Sequence, residues 1–244
     1  MYSKPIFTVS SSQKGKLYID FDNPKDALET NAFFNFLSFQ ANFRNVDAAK
    51  DAFERLIKVL IRTPVFELAV NEMKSNPEQA ALIKQRYMAP YHNLDVLQEY
   101  PEDSLGYIYA AYIKENGLNP DFYSHIEINS DASYVEARLG QTHDIWHLIT
   151  GYGTTIIDEI GLQAFHIAQF PYPCATVYLA NFLLAFTLWN PEMLVQTIGA
   201  IEQGLQMGKN AKPLFAAKWE ENWQKSISQW RTELNVQPVS RHCS

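Results

Sequence analysis

The chain has 244 residues, of which 47% are hydrophobic, 14% aromatic and 19% charged, and it carries a formal net charge of −7. Such a length can bury a full core within one domain, and the composition is that of a packed globular protein rather than a disordered or fibrous one. An acidic chain without a run of Lys or Arg offers no phosphate-binding surface, so no nucleic-acid partner is expected; its two cysteines, Cys174 and Cys243, are too few for a disulfide framework and fit a reducing compartment.

In chain order, the opening "MYSKPIFTVSSSQKGK" has neither a continuous apolar h-region nor an Arg-rich amphipathic pattern. The expected location is cytoplasmic, with a peripheral position on the inner face of the membrane as the variant. "PIFTVS" and "KLYIDF" are the only stretches that read as strands, enough for a short N-terminal β-hairpin. Four Asn-Pro pairs, beginning at Asn23, Asn76, Asn119 and Asn190, combine a favoured N-cap with a residue suited to the first helical turn, and at least three are read as helix starts.

"KDALETNAFFNFLSFQAN" is read as a helix. In the next, Val46, Ala49, Phe53, Leu56, Ile57 and Leu60 form one apolar stripe. Leu105, Ile108, Tyr109, Tyr112 and Ile113 repeat that spacing until Asn116-Gly117 supplies a stop. Between Ile160 and Pro191 there is no charged residue, and "CATVYLANFLLAFTLW" predicts a central buried helix too short for the roughly 20 residues a bilayer core requires. Phe215, Trp219, Trp223, Ile227 and Trp230 recur every three or four residues, a stripe that suits a core and could also line an apolar channel. The expected fold is a mostly α, single-domain helical bundle over residues 1–244 with a central apolar helix.

The chemistry is concentrated in "QTHDIWHLITGYGTTIIDEIG". His143 and His147, four apart, share one face of a helix and can converge on one ion. A straight helix would carry Glu159 about 18 Å beyond His147 and about 120° round. The Gly151-Tyr152-Gly153 turn, with Thr154 or Thr155 as the next cap, would bring it back. Asp144 points about 100° away from His143, which leaves it as a ligand, an orienting group or a general base. A packed helix pair with hydrogen-bonded histidines remains the alternative to a metal site. His166 lies seven residues after Glu159 and could face the same site; Arg138 could receive a substrate carboxylate or phosphate, or form an ordinary salt bridge. His92 and His125 fall in loop-like sequence and His242 in a terminal tail.

The spacing His143-Asp144-x-x-His147-x11-Glu159 resembles the HDxxH-x11-E motif of the Coq-four family of ubiquinone (coenzyme Q) biosynthesis proteins. "LDVLQEYPEDSLGYIYAAYIKENGLNPDFY" resembles the stretch before that motif, and "KWEENWQKSISQWRTELNV" its Trp-Glu-rich C-terminal helix, so the similarity runs from about residue 80 to 238. The resemblance implies an all-helical, membrane- or lipid-associated protein. It makes His143, Asp144, His147 and Glu159 ligands of a divalent metal, zinc first and iron or another divalent ion next, with Asp144 and Glu159 as catalytic candidates.

The implied activity is oxidative decarboxylation at ring carbon one of a prenylated hydroxybenzoate. Arg138, His166, Tyr178, Phe182 and Trp219 are the candidate substrate-binding residues for ring and isoprenoid tail. Zinc is redox-inert, whereas two histidines and a carboxylate also suit non-haem iron, which can use oxygen. Two other readings stand beside this one. The first is a non-catalytic prenyl-lipid-binding scaffold of a quinone-synthesis complex with a structural metal. The second is an HD-type phosphohydrolase, disfavoured by the Glu159 spacing and the missing basic cluster. The implied partners are an isoprenoid lipid or prenylated quinone precursor, other quinone-biosynthesis proteins, a membrane surface and a second copy of the chain.

Overall fold

The computed structural model describes residues 27–41, 46–90, 92–120 and 126–239. The proposed hairpin segments lie outside them, as do His125, His242 and Cys243. Among the described residues there is no strand, and the one β-bridge joins Ser104 to Ser226. The helices are α1 (Ala27–Ala41), α2 (Val46–Leu60), α3 (Pro64–Met73), α4 (Pro77–Gln85), α5 (Leu94–Leu97), α6 (Leu105–Glu115), α7 (Asp131–Thr150), α8 (Ile156–Gln169), α9 (Pro173–Trp189), α10 (Leu194–Asn210) and α11 (Ile227–Leu234).

Local chemistry sets several of these boundaries. Asn76 caps α4, its side chain accepting from the N–H groups of Glu78 and Gln79, with Pro77 in the first turn. Asn190-Pro191 opens a short 3-10 turn that leads into α10. Asn119-Pro120 starts no helix among the described residues, and α1 begins just after the undescribed Asn23-Pro24. α6 ends as expected, with Gly117 at φ +60°.

α7 runs through the core. Ser130 and Ser133 cap its start reciprocally, and Arg231 donates to the carbonyls of Leu148 and Ile149, both at 2.9 Å, near its end. α8 is clamped to α10 by glycines: a Cβ on Gly204 would lie 2.1 Å from the carbonyl oxygen of Gly161, so backbone meets backbone there. α9 buries Cys174, Ala175, Leu179, Phe182 and Phe186 but leaves Leu184, Leu188 and Trp189 exposed towards its end. No helix among the described residues is long and apolar enough to cross a membrane.

The C-terminal aromatic stripe is buried as expected but is not one helix. Phe215 and Trp219 stand on separate 3-10 turns, and α11 starts only at Ile227 behind a capping box made by Ser226 and Gln229. The intervening chain pairs with the start of α6, where Leu105 N–H donates to the carbonyl of Lys225 and Gly106 N–H to that of Trp223. Those bonds take the carbonyls that a continuous helix would have used internally.

Candidate metal centre

α7 ends at Gly151, whose φ of +81° turns the chain back, and its N–H closes on the carbonyl of His147. Thr155 then caps α8 by accepting from Asp158 N–H, which places Glu159 in the first turn. The result is the hairpin anticipated from the sequence. His147 Nε2 lies 3.1 Å from His143 Nε2 and 3.1 Å from Glu159 Oε2, and the His143 Nε2 to Glu159 Oε2 distance is 3.5 Å. These three side chains form a group that could hold a metal ion; Asp144 is not part of it.

The donor set fits such an ion. Bonds of 2.0–2.1 Å at tetrahedral angles put neighbouring donor atoms about 3.3–3.4 Å apart, close to the three distances found. Nδ1 of His147 faces the carbonyl of Tyr152 at 3.3 Å, an acceptor only, so Nδ1 carries the proton and Nε2 presents a lone pair. Gln163 Nε2 donates to Glu159 Oε1 at 2.6 Å and holds the other carboxylate oxygen towards the histidines. Atoms this close must be joined by a shared proton or by a cation. Without a cation, protons take that role: burial alone would raise the Glu159 carboxyl, but the His143 charge and hydrogen bonds to both histidines hold it well below its ordinary range. Burial opposes a charged His143, and Glu159 overrides it and raises its pKa.

His143 and Glu159 open onto a cavity of about 340 Å³. Its walls include Phe53 and Ile57 from α2, His166 from α8, and Tyr178 from α9. His166 stacks on Trp146 at 4.4 Å and donates from Nδ1 to the carbonyl of Leu162. Burial, then the His143 charge, pushes its pKa down to about 3, so it lines the cavity as a neutral imidazole.

Of the other residues singled out, Tyr178 lines the cavity, while Phe182 packs behind it with ring centroids 4.6 Å apart. Arg138 and Trp219 are placed elsewhere. Arg138 precedes His143 by five residues, about 140° round the helix. It is fully buried with both Nη atoms on the Glu220 carboxylate, at 2.6 and 2.9 Å. Trp219 is fully buried against Trp230 at 4.7 Å. Neither lines the cavity. Asp144 is half-buried, and desolvation raises its carboxyl above the usual range.

The cavity also holds residues that the sequence reading missed. Glu136, 3% exposed, accepts at Oε2 from Tyr172 Oη at 2.7 Å and from Cys174 Sγ at 3.6 Å. Burial pushes its carboxyl up to about 7, against the lowering effect of those two hydrogen bonds. The available signal was the spacing 136, 140, 143, 147, one continuous stripe on α7.

The fold has counterparts among known proteins. Residues 58–240 match the family model described as coenzyme Q (ubiquinone) biosynthesis protein Coq4. The chain belongs to the Coq4 family. The mitochondrial ubiquinone biosynthesis protein COQ4 homologue of Aedes aegypti is 25% identical over 178 residues, covering 71% of this chain and 64% of the relative. The Danio rerio homologue is 26% identical over 176 residues, covering 70% and 64%. The chain thus spans about 64% of the length of these curated Coq4 relatives. Among solved structures, a protein from Nostoc punctiforme assigned to ubiquinone biosynthesis superposes with a TM-score of 0.78 at 30% identity, over 86% of this chain and 98% of that one.

Proposed function

We propose that this chain acts in the synthesis of a ubiquinone-type quinone as a metal-dependent oxidative decarboxylase of a prenylated hydroxybenzoate. The observation that carries the proposal is an incomplete donor set: His143, His147 and Glu159 supply three ligand atoms on one side, and a cavity lies on the other. Structural zinc sites are closed by four protein ligands, whereas three ligands beside a cavity leave a position for substrate or oxygen. Membership of the Coq4 family supports the pathway.

A divalent metal bound there would supply positive charge for the ring carboxylate and, if it is iron, access to oxygen chemistry. In the net reaction the carboxyl leaves as carbon dioxide and one atom of dioxygen replaces it as a hydroxyl. The second oxygen atom leaves as water, with two electrons and two protons from an external reductant. Gln163 orients Glu159, the Tyr152 carbonyl orients His147, and neutral His166 adds no charge to the binding space. Phe53, Ile57 and Tyr178 provide an apolar start for the isoprenoid tail. Leu188, Trp189, Val195 and Ile198, exposed around the α9–α10 turn, would meet the membrane surface from which such a lipid is drawn, as flotation with vesicles would test.

Metal analysis of purified wild type, His147→Gln and Asp144→Asn, each with a melting curve, is the test. The expected outcome is near-stoichiometric metal in wild type and Asp144→Asn, and none in a folded His147→Gln. Aerobic incubation of the metal-loaded protein with a prenylated hydroxybenzoate and a reductant should then release carbon dioxide. Metal and fold lost together in His147→Gln would point instead to a structural clamp in a scaffold, and a metal-free wild type prepared without chelator would remove the centre altogether.

A further inference from the structure

We propose that Glu136 is a second polar anchor of the cavity, binding a ring oxygen substituent opposite the carboxylate that the histidine–glutamate centre receives. This rests on the aromatic-acid reading above and adds the residue that selects the oxygenated ring.

Glu136 lies two turns before His143 on the same stripe of α7, and both line one cavity. Seven residues of helix rise about 10.5 Å. A benzoate with an oxygen opposite its carboxylate, lengthened by a metal–oxygen bond at one end and a hydrogen bond at the other, reaches about 11 Å. The cavity of about 340 Å³ has room for such a ring.

The hydrogen bonding of Glu136 is one-sided. Tyr172 and Cys174 both donate to Oε2, and no described residue partners Oε1. A neutral carboxyl with two donors on Oε2 carries its proton on Oε1, which makes that atom a donor for an ether, phenol or quinone oxygen. Oε1 is not sealed from the cavity, so water completes it when no ligand is bound and a ligand oxygen can take the water's place. The other titratable groups lining the cavity are His143 on α7, Glu159 and His166 on α8, Tyr172 and Cys174 at the start of α9, and Tyr178 within it; α2 contributes Phe53 and Ile57. Neither Lys nor Arg is among them, so an anionic group has its place at the metal centre and a neutral oxygen at Glu136. Burial keeps the carboxyl protonated up to about pH 7, so it does not repel the ligand's own carboxylate.

The test is calorimetry on the full zinc-loaded chain with two probes of similar shape, 4-methoxybenzoate and 4-ethylbenzoate, of which only the first has a ring oxygen. One neutral hydrogen bond predicts about 3- to 10-fold tighter binding of the methoxy probe to wild type. Glu136→Gln, whose amide can still donate, should keep that preference, and Glu136→Leu should abolish it while retaining zinc. In wild type alone, the preference should be full near pH 6 and fade towards pH 8 as the carboxyl ionises, a readout independent of whether the leucine variant folds. Equal binding of the two probes to wild type, or a preference that survives in a folded Glu136→Leu and is indifferent to pH, overturns the role of Glu136 alone. Failure of either acid to bind zinc-loaded wild type overturns the aromatic-acid reading and this inference with it.

Discussion

α7 carries two buried polar clusters on different faces, and they differ in what they lack. On one face, Arg138 directs both Nη atoms to Glu220 and reaches Gln141 and the carbonyl of Ala217; among the described residues only its Nε is left without a partner. On the other, His143, His147 and Glu159 bring three potential ligand atoms within 3.5 Å of one another. The first cluster is nearly complete with protein atoms, and only a small cavity of about 70 Å³ adjoins its Gln141 and Glu220. The second could be completed by a cation, and beside it one oxygen of Glu136 has no partner among the described residues. Buried polar groups alone therefore do not mark a binding site; the deficit in their hydrogen bonding does.

The largest expected effect breaks the completed cluster. Arg138→Met leaves Glu220 buried without its counter-charge, a loss of about 3–5 kcal/mol by chemical denaturation, and replacing both partners by apolar residues should recover most of it. A loss below about 1 kcal/mol would show that Glu220 finds water or another partner.

Next in size is the pH response of the cavity side. Because the folded state raises Glu136 from 4.5 to about 7, the native protein holds a proton that the unfolded chain has released. Its contribution is fully present below about pH 4.5 and is lost as pH rises through about 7, roughly 3 kcal/mol in all. Stability curves of Glu136→Gln and wild type should therefore diverge in favour of the variant between those limits. Parallel curves would mean that the carboxyl is ionised throughout.

The smallest effect concerns the support of the centre. Gly204→Ala places a methyl against the Gly161 carbonyl and forces α8 from α10, at about 1–3 kcal/mol. Since Glu159 lies two residues before Gly161, metal affinity should fall with it in a titration. Gly199→Ala, where nothing lies within 4 Å, is the control and should stabilise α10 by up to about 1 kcal/mol with no effect on metal. Equal behaviour of the two variants would separate the glycine contact from the centre.

The sequence by itself determined what local forces decide. The apolar stripes of α2 and α6, the stop at Gly117, a cap at Thr154 or Thr155 (Thr155 in the structure) and the turn at Gly151 each follow from a few neighbouring residues. That is why the return of Glu159 to the histidines was legible before any coordinates. The partition of the polar residues was not. Arg138 finds Glu220 82 residues away, Glu136 finds Tyr172 36 residues away, and the C-terminal aromatics break into turns because their carbonyls pair with α6. Contacts at such separations are chosen by how the helices pack, not by periodicity along one of them. Tertiary structure therefore decided which polar residues of α7 pair with protein and which line the cavity beside the histidines.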